Sequence, residues 1–132
     1  LAFKRIPVSM ATNPNHNPDF LSIEIDGESY QSGQRFTTHV GAEHEIDPIL
    51  TSDSIETYDF VNASGITEER TEEPYFTWYV EGGSIDASST LYPYSSIAWG
   101  APMEAFEGLI VVVARDRRGG MAWAHLDVEV LP

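Results

Sequence analysis

The sequence has no cysteine in its 132 residues. This absence excludes a disulfide framework, a cysteine-ligated zinc or iron–sulfur centre and a thiol nucleophile. Long hydrophobic runs are lacking too. The longest, Leu109–Ala114, has the length of one strand, far short of the ~20 residues that cross a bilayer. We therefore expect no membrane-spanning segment.

Basic side chains are scarce, with seven lysines and arginines against 21 acidic residues and a formal net charge of −14. Because nucleic acid and anionic membrane surfaces are bound through basic patches, this balance argues against both as partners. The acid is concentrated in residues 41–90, where Arg70 is the one basic residue among 12 acidic ones. This stretch is either a set of solvated loops and strand faces or a surface that binds a cation or a partner.

Helix signals are nearly absent, because no window places apolar residues at helical spacing over three turns and eight prolines and ten glycines interrupt the chain. Alternating, strand-like patterns are frequent instead. They cover residues 3–9, 20–25, 35–46, 55–61, 75–80, 109–115 and 121–130. The expected fold is all-β: one domain over residues 1–132, built as a sandwich or barrel of about seven or more antiparallel strands.

Alternation also predicts which aromatic side chains form the core. Phe76 and Trp78 share one face of their strand, and we expect Trp78 to point inward. Trp123, either Phe76 or Tyr79, and the Leu109–Val113 strand are expected in the core as well. Asp26-Gly27 is a strong hairpin turn signal, whereas residues 48–54, 62–74 and 88–105 are expected to be irregular.

Three motifs and a final strand carry a family resemblance. They are Tyr75-Phe-Thr-Trp-Tyr-Val-Glu-Gly-Gly83, Ile97-Ala-Trp-Gly-Ala-Pro102, Gly108-Leu-Ile-Val-Val-Val-Ala-Arg-Asp-Arg-Arg-Gly-Gly120 and Val128-Glu-Val130. Over residues 17–131 the chain resembles bacterial PKD-like and cadherin-like immunoglobulin-type domains. The resemblance implies an immunoglobulin-like β-sandwich from an extracytoplasmic protein that is periplasmic, outer-membrane-anchored (as in a lipoprotein) or secreted. Residues 1–16 would then be an N-terminal edge strand or a linker from a preceding module.

Signatures of catalysis are missing. The sequence has no Gly-x-Ser-x-Gly elbow, no phosphate-binding or dinucleotide-binding glycine motif and no His-x-His pair. His39 and His44 are five residues apart, so on one straight strand they would face opposite sides. We predict no enzyme and no cofactor. Calcium is the lesser alternative, since carboxylates are available at Asp19, Asp26, Asp47, Asp53 and Asp116.

The turn around Asp116 has two interpretations. Asp116 precedes Gly119-Gly120 and lies among Arg115, Arg117 and Arg118. The carboxylate would cap a tight turn by accepting backbone N–H groups, while glycine supplies positive φ. Alternatively, the arginines form a small basic binding patch on an acidic domain.

Loop aromatics are the first choice for a ligand-binding site. Tyr92, Tyr94 and Trp99 lie in the irregular region, where they would form a sugar-stacking platform or a partner anchor, or else cover the end of the sandwich. The expected function is a non-catalytic extracytoplasmic module with a structural, adhesion or protein-binding role at the cell surface. The alternative is a carbohydrate-binding module that uses Tyr92, Tyr94 and Trp99 on a glycan.

Overall fold

The structure, a computed structural model, describes residues 14–132. These residues form twelve strands and one short 3₁₀ turn, Ser52–Ser54, and contain no α-helix. The strands are β1 (Phe20–Ile25), β2 (Glu28–Tyr30), β3 (Arg35–His39), β4 (Glu43–Leu50), β5 (Thr57–Val61), β6 (Thr67–Thr71), β7 (Tyr75–Val80), β8 (Ser84–Ile85), β9 (Ser89–Leu91), β10 (Ile97–Gly100), β11 (Phe106–Arg115) and β12 (Met121–Leu131). The predicted strand at residues 3–9 lies outside the described residues.

Ten of the strands form two sheets of five. The first sheet has the order β2-β1-β4-β10-β8 and the second has the order β3-β12-β11-β7-β9. Neighbours are antiparallel except β3 and β12, which are parallel. The runs β1-β4-β10-β8 and β7-β11-β12 correspond to the A-B-E-D and C-F-G sheets of an immunoglobulin domain. The predicted all-β, immunoglobulin-like sandwich is confirmed.

The core lies between the two sheets because each sheet turns its alternate apolar side chains inward. Phe76 and Trp78 are buried, which confirms the predicted inward face of β7. Strand β11 is central in its sheet, between β12 and β7, and buries Ile110 and Val112. The first sheet contributes Ile23, Ile25, Ile46, Ile97 and Trp99 to the same core.

The prediction that Trp123 is a core residue is wrong, since its side chain is 61% exposed. Strand β12 has an apolar set on both faces near its start. The even-numbered set, Leu126, Val128 and Val130, fills the core. Strand alternation therefore turns Trp123 outward.

The predicted continuous strand over residues 35–46 is also wrong, because it divides at a turn. Gly41 adopts φ +70° there, and its N–H donates to the carbonyl of Pro102 at 3.1 Å. The turn sends β3 to the second sheet and β4 to the first. His39 and His44 are consequently on different sheets.

All three regions expected to be irregular contain strand residues, beginning with residues 48–50, which end β4. Residues 62–74 include β6, which pairs with β5 in a separate two-stranded hairpin, and residues 88–105 include β9 and β10. In β1 the register shifts between Phe20 and Ser22, and Leu21 at the shift is exposed. The Asp26-Gly27 turn is confirmed, with φ values of 50° and 87°.

Candidate binding surface

The outer face of the second sheet carries exposed aromatic side chains. On β12, Trp123 lies opposite Val113 of β11, and His125 lies opposite Val111. On the other side of β11, Val111 lies opposite Tyr79 of β7, which is 53% exposed. Trp123 and Tyr79 are thus two strands and two residues apart, or about 12 Å between backbones. The aromatic face consists of Trp123, His125, Tyr79, Val111 and Val113.

Neighbouring groups position Trp123 on this face. Its indole stacks on the His125 ring, with centroids 5.6 Å apart and 25° between the planes. The His125 backbone is in turn fixed by the loop after β2. It accepts a hydrogen bond from the Gly33 N–H at 2.8 Å and donates one to Ser32 Oγ at 3.1 Å. The aromatic pair is therefore supported from outside its own strand.

One end of the aromatic face is basic. Arg115 lies between Met121 and Tyr75 in the strand register, and its guanidinium donates to Thr77 Oγ1 at 3.2 Å. Arg117, in the turn that follows, places its guanidinium carbon 5.6 Å from the Tyr75 ring centroid. Two guanidinium groups thus flank an aromatic ring at this end.

The opposite end is acidic. Asp127, Glu129 and Glu107 are all on the outward sides of their strands, and Glu129 lies opposite Glu107. Arg35 on the neighbouring strand β3 donates to Glu107 at 2.8 Å and to Glu129 at 3.0 Å. With three carboxylates and one guanidinium, this end has a net charge of −2. Between the two ends the aromatic face carries no formal charge.

The turn that presents the basic end is held by a buried carboxylate. Asp116 Oδ1 accepts hydrogen bonds from the backbone N–H groups of Arg118 and Gly120, both at 2.8 Å, while Oδ2 accepts one from Asn15 Nδ2 at 2.7 Å. Gly119 adopts φ +94°. A Cβ at Gly120 would lie 2.0 Å from Asp116 Oδ2, so glycine is required there. The predicted capped turn is confirmed.

Arg118, unlike the other two arginines of the turn, faces an internal cluster. It donates to Glu72 Oε1 at 2.8 Å and Glu56 Oε2 at 3.3 Å, and its guanidinium carbon lies 4.1 Å from the Tyr58 ring centroid. Burial raises the pKa of Glu72, opposed by its hydrogen bonds from the Glu56 N–H and from Arg118. The cluster joins the base of the β5–β6 hairpin to the turn. Its guanidinium is neutralised, so Arg118 does not belong to a basic patch.

The three residues first expected to bind a ligand do not come together. Trp99 is in β10 and is fully buried. It stacks on His44 at 6.2 Å and donates from Nε1 to the Gly82 carbonyl at 3.0 Å. The assignment of Trp99 to an exposed platform is therefore wrong. Tyr92 and Tyr94, exposed at 38% and 88%, lie between β9 and β10.

A hydrogen-bonded chain near the first sheet has the order of a nucleophile–base–acid triad. Thr38 Oγ1 lies 2.7 Å from His44 Nε2, and His44 Nδ1 lies 2.6 Å from Asp26 Oδ2. Thr38 is buried, and the cleft of about 320 Å³ beside His44 is lined by other residues. A nucleophile must reach its substrate. Because Thr38 is buried and does not line this cleft, we interpret the hydrogen bonds among Thr38, His44 and Asp26 as a structural link between β3, β4 and the β1–β2 turn.

The carboxylates named as calcium candidates have other roles where their contacts are defined. Asp26 bonds His44, and its pKa is lowered by that hydrogen bond and by one from the Glu45 N–H. Asp116 caps its turn. Among residues 14–132, no three His, Asp or Glu side chains are grouped to hold a metal ion. This holds also for the groove of about 600 Å³ beside Glu56.

Sequence reasoning missed Trp123 as a surface residue, although a signal was available. The odd-numbered positions of β12 continue into Asp127 and Glu129, whereas the even-numbered ones stay apolar to the end of the strand. The charged continuation marks the odd-numbered face, and with it Trp123, as outward.

Comparisons with known proteins give no further indication. Neither family models, nor curated proteins, nor solved structures match this chain. The PKD-like and cadherin-like identity therefore stays a prediction from the motifs. Across residues 14–132, no helix has the length and apolarity needed to cross a membrane.

Proposed function

We propose that this chain is a non-catalytic extracytoplasmic immunoglobulin-like module of the PKD-like or cadherin-like type. It acts in adhesion or protein binding, through the aromatic face of its second sheet. The observation that carries the proposal is the exposure of Trp123 and Tyr79 on the same outer face of one sheet, on the two strands that flank β11. Tryptophan, tyrosine and arginine are enriched where protein interfaces derive most of their binding energy, and methionine is enriched at interfaces in general.

The surroundings of the aromatic face support this role. Met121 and Leu91 are exposed at the basic end, next to Tyr75 and the guanidinium groups of Arg115 and Arg117. An apolar centre with a charged rim is the general anatomy of a protein interface. Scattered exposed apolar residues need no explanation, but adjacent ones on one sheet face do.

Site-specific photo-cross-linking in the native cell tests the proposal. A benzophenone-bearing residue replaces Tyr79 in one variant and Glu45, exposed on the outer face of the first sheet, in the matched control. We expect a discrete protein adduct from position 79 and none from position 45. Equal labelling at both positions, or none at position 79, contradicts the assignment of the aromatic face.

The extracytoplasmic location is tested independently. A membrane-impermeant biotin reagent on intact cells, or a periplasmic extract, should recover the protein together with an exported marker. Recovery with a cytoplasmic marker alone contradicts the location and leaves the binding proposal to the cross-linking result.

Carbohydrate binding is the second candidate, and the 88% exposure of Tyr94 favours it. Exposed tyrosine rings stack on sugar faces. With Trp99 buried, the candidate site is reduced to Tyr92 and Tyr94. A glycan array probed with the wild type and with Tyr94→Ala decides the question. Binding that is lost in the variant supports this function, and no glycan binding removes it.

A further inference from the structure

We infer that the partner of the aromatic face is a second copy of this chain, so that the module forms a symmetric dimer through the outer faces of its second sheets. The inference rests on the proposed function, since it uses the same face, and it names the partner. Three observations carry it: the neutral aromatic centre, the opposite charges of the two ends, and the acidity of the rest of the molecule.

The charge distribution along β11 and β12 is graded. On the outward side of the basic end lie the two positive charges of Arg115 and Arg117, while the Asp116 carboxylate is buried in the turn. The outward groups of the acidic end, Asp127, Glu129, Glu107 and Arg35, sum to −2. Six residues separate the Arg115 row from the Leu109–Asp127 row, which is about 20 Å along a strand. This distance exceeds the Debye length of about 8 Å at physiological salt, so each end interacts independently.

This gradient is self-complementary under one symmetry operation. A two-fold axis in the interface plane that runs across the strands stacks the two sheets face to face with their strand directions reversed. The basic end of each copy then lies over the acidic end of the other, and the two aromatic centres meet. A two-fold axis parallel to the strands would instead place like charges together, so the charge pattern selects the first arrangement.

The outer face of the first sheet is unsuited to a symmetric face-to-face dimer. Glu24 lies directly opposite Asp47, and Glu45 adjoins them on β4. Two copies of that face would bring carboxylates against carboxylates, which is strongly unfavourable at an interface. A basic partner protein would favour this acidic face over the neutral centre of the aromatic one. The aromatic face therefore fits a partner with its own charge pattern, and a second copy supplies one.

Sedimentation velocity over a concentration range up to about 1 mM tests the dimer. It is run at about 0.15 M salt, where the repulsion between chains of net charge −14 is screened. We expect the wild type to dimerise reversibly. For Trp123→Ala we expect a dissociation constant at least tenfold larger. Phe60→Ala, which removes a partly exposed aromatic side chain from the separate β5–β6 hairpin, should dimerise like the wild type.

Charge exchange tests whether the opposite charges of the two ends hold the dimer together. Arg115→Glu/Arg117→Glu makes both ends acidic, and Glu107→Lys/Asp127→Lys makes both ends net basic. We expect each double variant alone to be monomeric and an equimolar mixture of the two to form a heterodimer. Urea unfolding of each variant verifies that it is folded.

The outcomes separate the dimer from the proposed function. A wild type that stays monomeric to about 1 mM, or a dimer that Trp123→Ala leaves unchanged, overturns the dimer. If position 79 then still cross-links to a different protein, the proposed function stands without it. If position 79 gives no adduct either, both fail. A mixture of charge variants that stays monomeric overturns the pairing of opposite charges in the dimer.

Discussion

The outer faces of the two sheets differ in both chemistry and charge. On the first sheet Glu24, Glu45 and Asp47 lie close together, and the pKa of Asp47 is raised by burial and by the two neighbouring carboxylates. On the second sheet the carboxylates are gathered at one end, partly paired with Arg35, and the centre is aromatic. Both faces belong to one immunoglobulin-like sandwich.

The difference indicates that the fold leaves the chemistry of an outer face free. Inward positions of both sheets must be apolar because they form the shared core. The residue types at outward positions are constrained only by contact with solvent and with partners. Like charges in unpaired clusters keep the first face solvated and discourage association. Exposed aromatic residues on the second face have no such protection, which is why we propose a partner for that face.

The two sheets also differ in the burial of their tryptophans, and substituting these residues should give the largest difference in the free energy of unfolding. Trp99 is fully buried in the first sheet, whereas Trp123 is exposed on the second. Trp99→Ala should lower the free energy of unfolding by about 3–5 kcal/mol because it leaves a large cavity and removes stacking on His44. Trp123→Ala should change it by about 0.5 kcal/mol or less. Urea unfolding measures both.

If Trp99→Ala fails to fold, Trp99→Phe replaces it in the test. Phenylalanine fills more of the cavity, so this variant should lose less free energy of unfolding than the alanine variant would. Measurements are made at low concentration, where no dimer adds to the stability of the wild type. Similar losses for Trp99→Ala and Trp123→Ala would mean that the inward and outward assignments of these strands are wrong.

The same pair of residues marks how far the sequence predicts the molecule. Alternation in β7 was sufficient to place Trp78 inward, because the opposite face of that strand is more polar and the assignment has one consistent solution. Trp123 belongs to a strand whose start is apolar on both faces, so only the charged residues later in the strand, Asp127 and Glu129, indicate its direction. Trp99 was misassigned because its strand has only four residues and lies within a segment rich in proline, glycine and serine.

The candidate binding surface could not be predicted for a related reason. Trp123 and Tyr79 are far apart in the chain and become neighbours only because β12 and β7 both pair with β11. Single-sequence patterns give the face on which a residue lies within its own strand, but not which strands are adjacent. Turn chemistry is local, which is why the roles of Asp116 and of Asp26-Gly27 were predictable.

A second contrast lies in the turns, since each sheet has a turn held by an aspartate. Asp116 at the β11–β12 turn is buried and accepts three hydrogen bonds. Asp116→Ala leaves these donors without their acceptor, so we expect a loss of about 2–3 kcal/mol by urea unfolding. The exposed Asp127→Ala is the matched control and should lose about 0.5 kcal/mol or less. Equal losses would contradict the role of the buried carboxylate.

The corresponding aspartate of the first sheet, Asp26, is half exposed, and its effect depends on pH. The hydrogen bond with His44 holds the pKa of Asp26 below its usual value of 3.8. Its contribution to stability is therefore present above pH 3.8 and lost as the pH falls through the lower, folded pKa. The stability difference between the wild type and Asp26→Asn should shrink as the pH falls below 3.8. A difference independent of pH from 7 to about 2 would contradict this assignment.

The smallest expected effect has the opposite sign and comes from the acidic cluster on the first sheet. Because the pKa of Asp47 is raised above 3.8 in the folded protein, its ionised form lowers stability at neutral pH. This penalty is complete above the folded pKa and disappears as the pH falls below 3.8. Asp47→Asn should therefore be more stable than the wild type at pH 7, by about 0.5 kcal/mol or less, and equally stable near pH 3. Asp127→Asn on the second sheet, where Arg35 is its register neighbour, should give no such gain. If Asp127→Asn gained as much stability as Asp47→Asn, the carboxylates of the two outer faces would be in equally unfavourable surroundings. That result would contradict the contrast between a solvated first face and the proposed binding face of the second sheet.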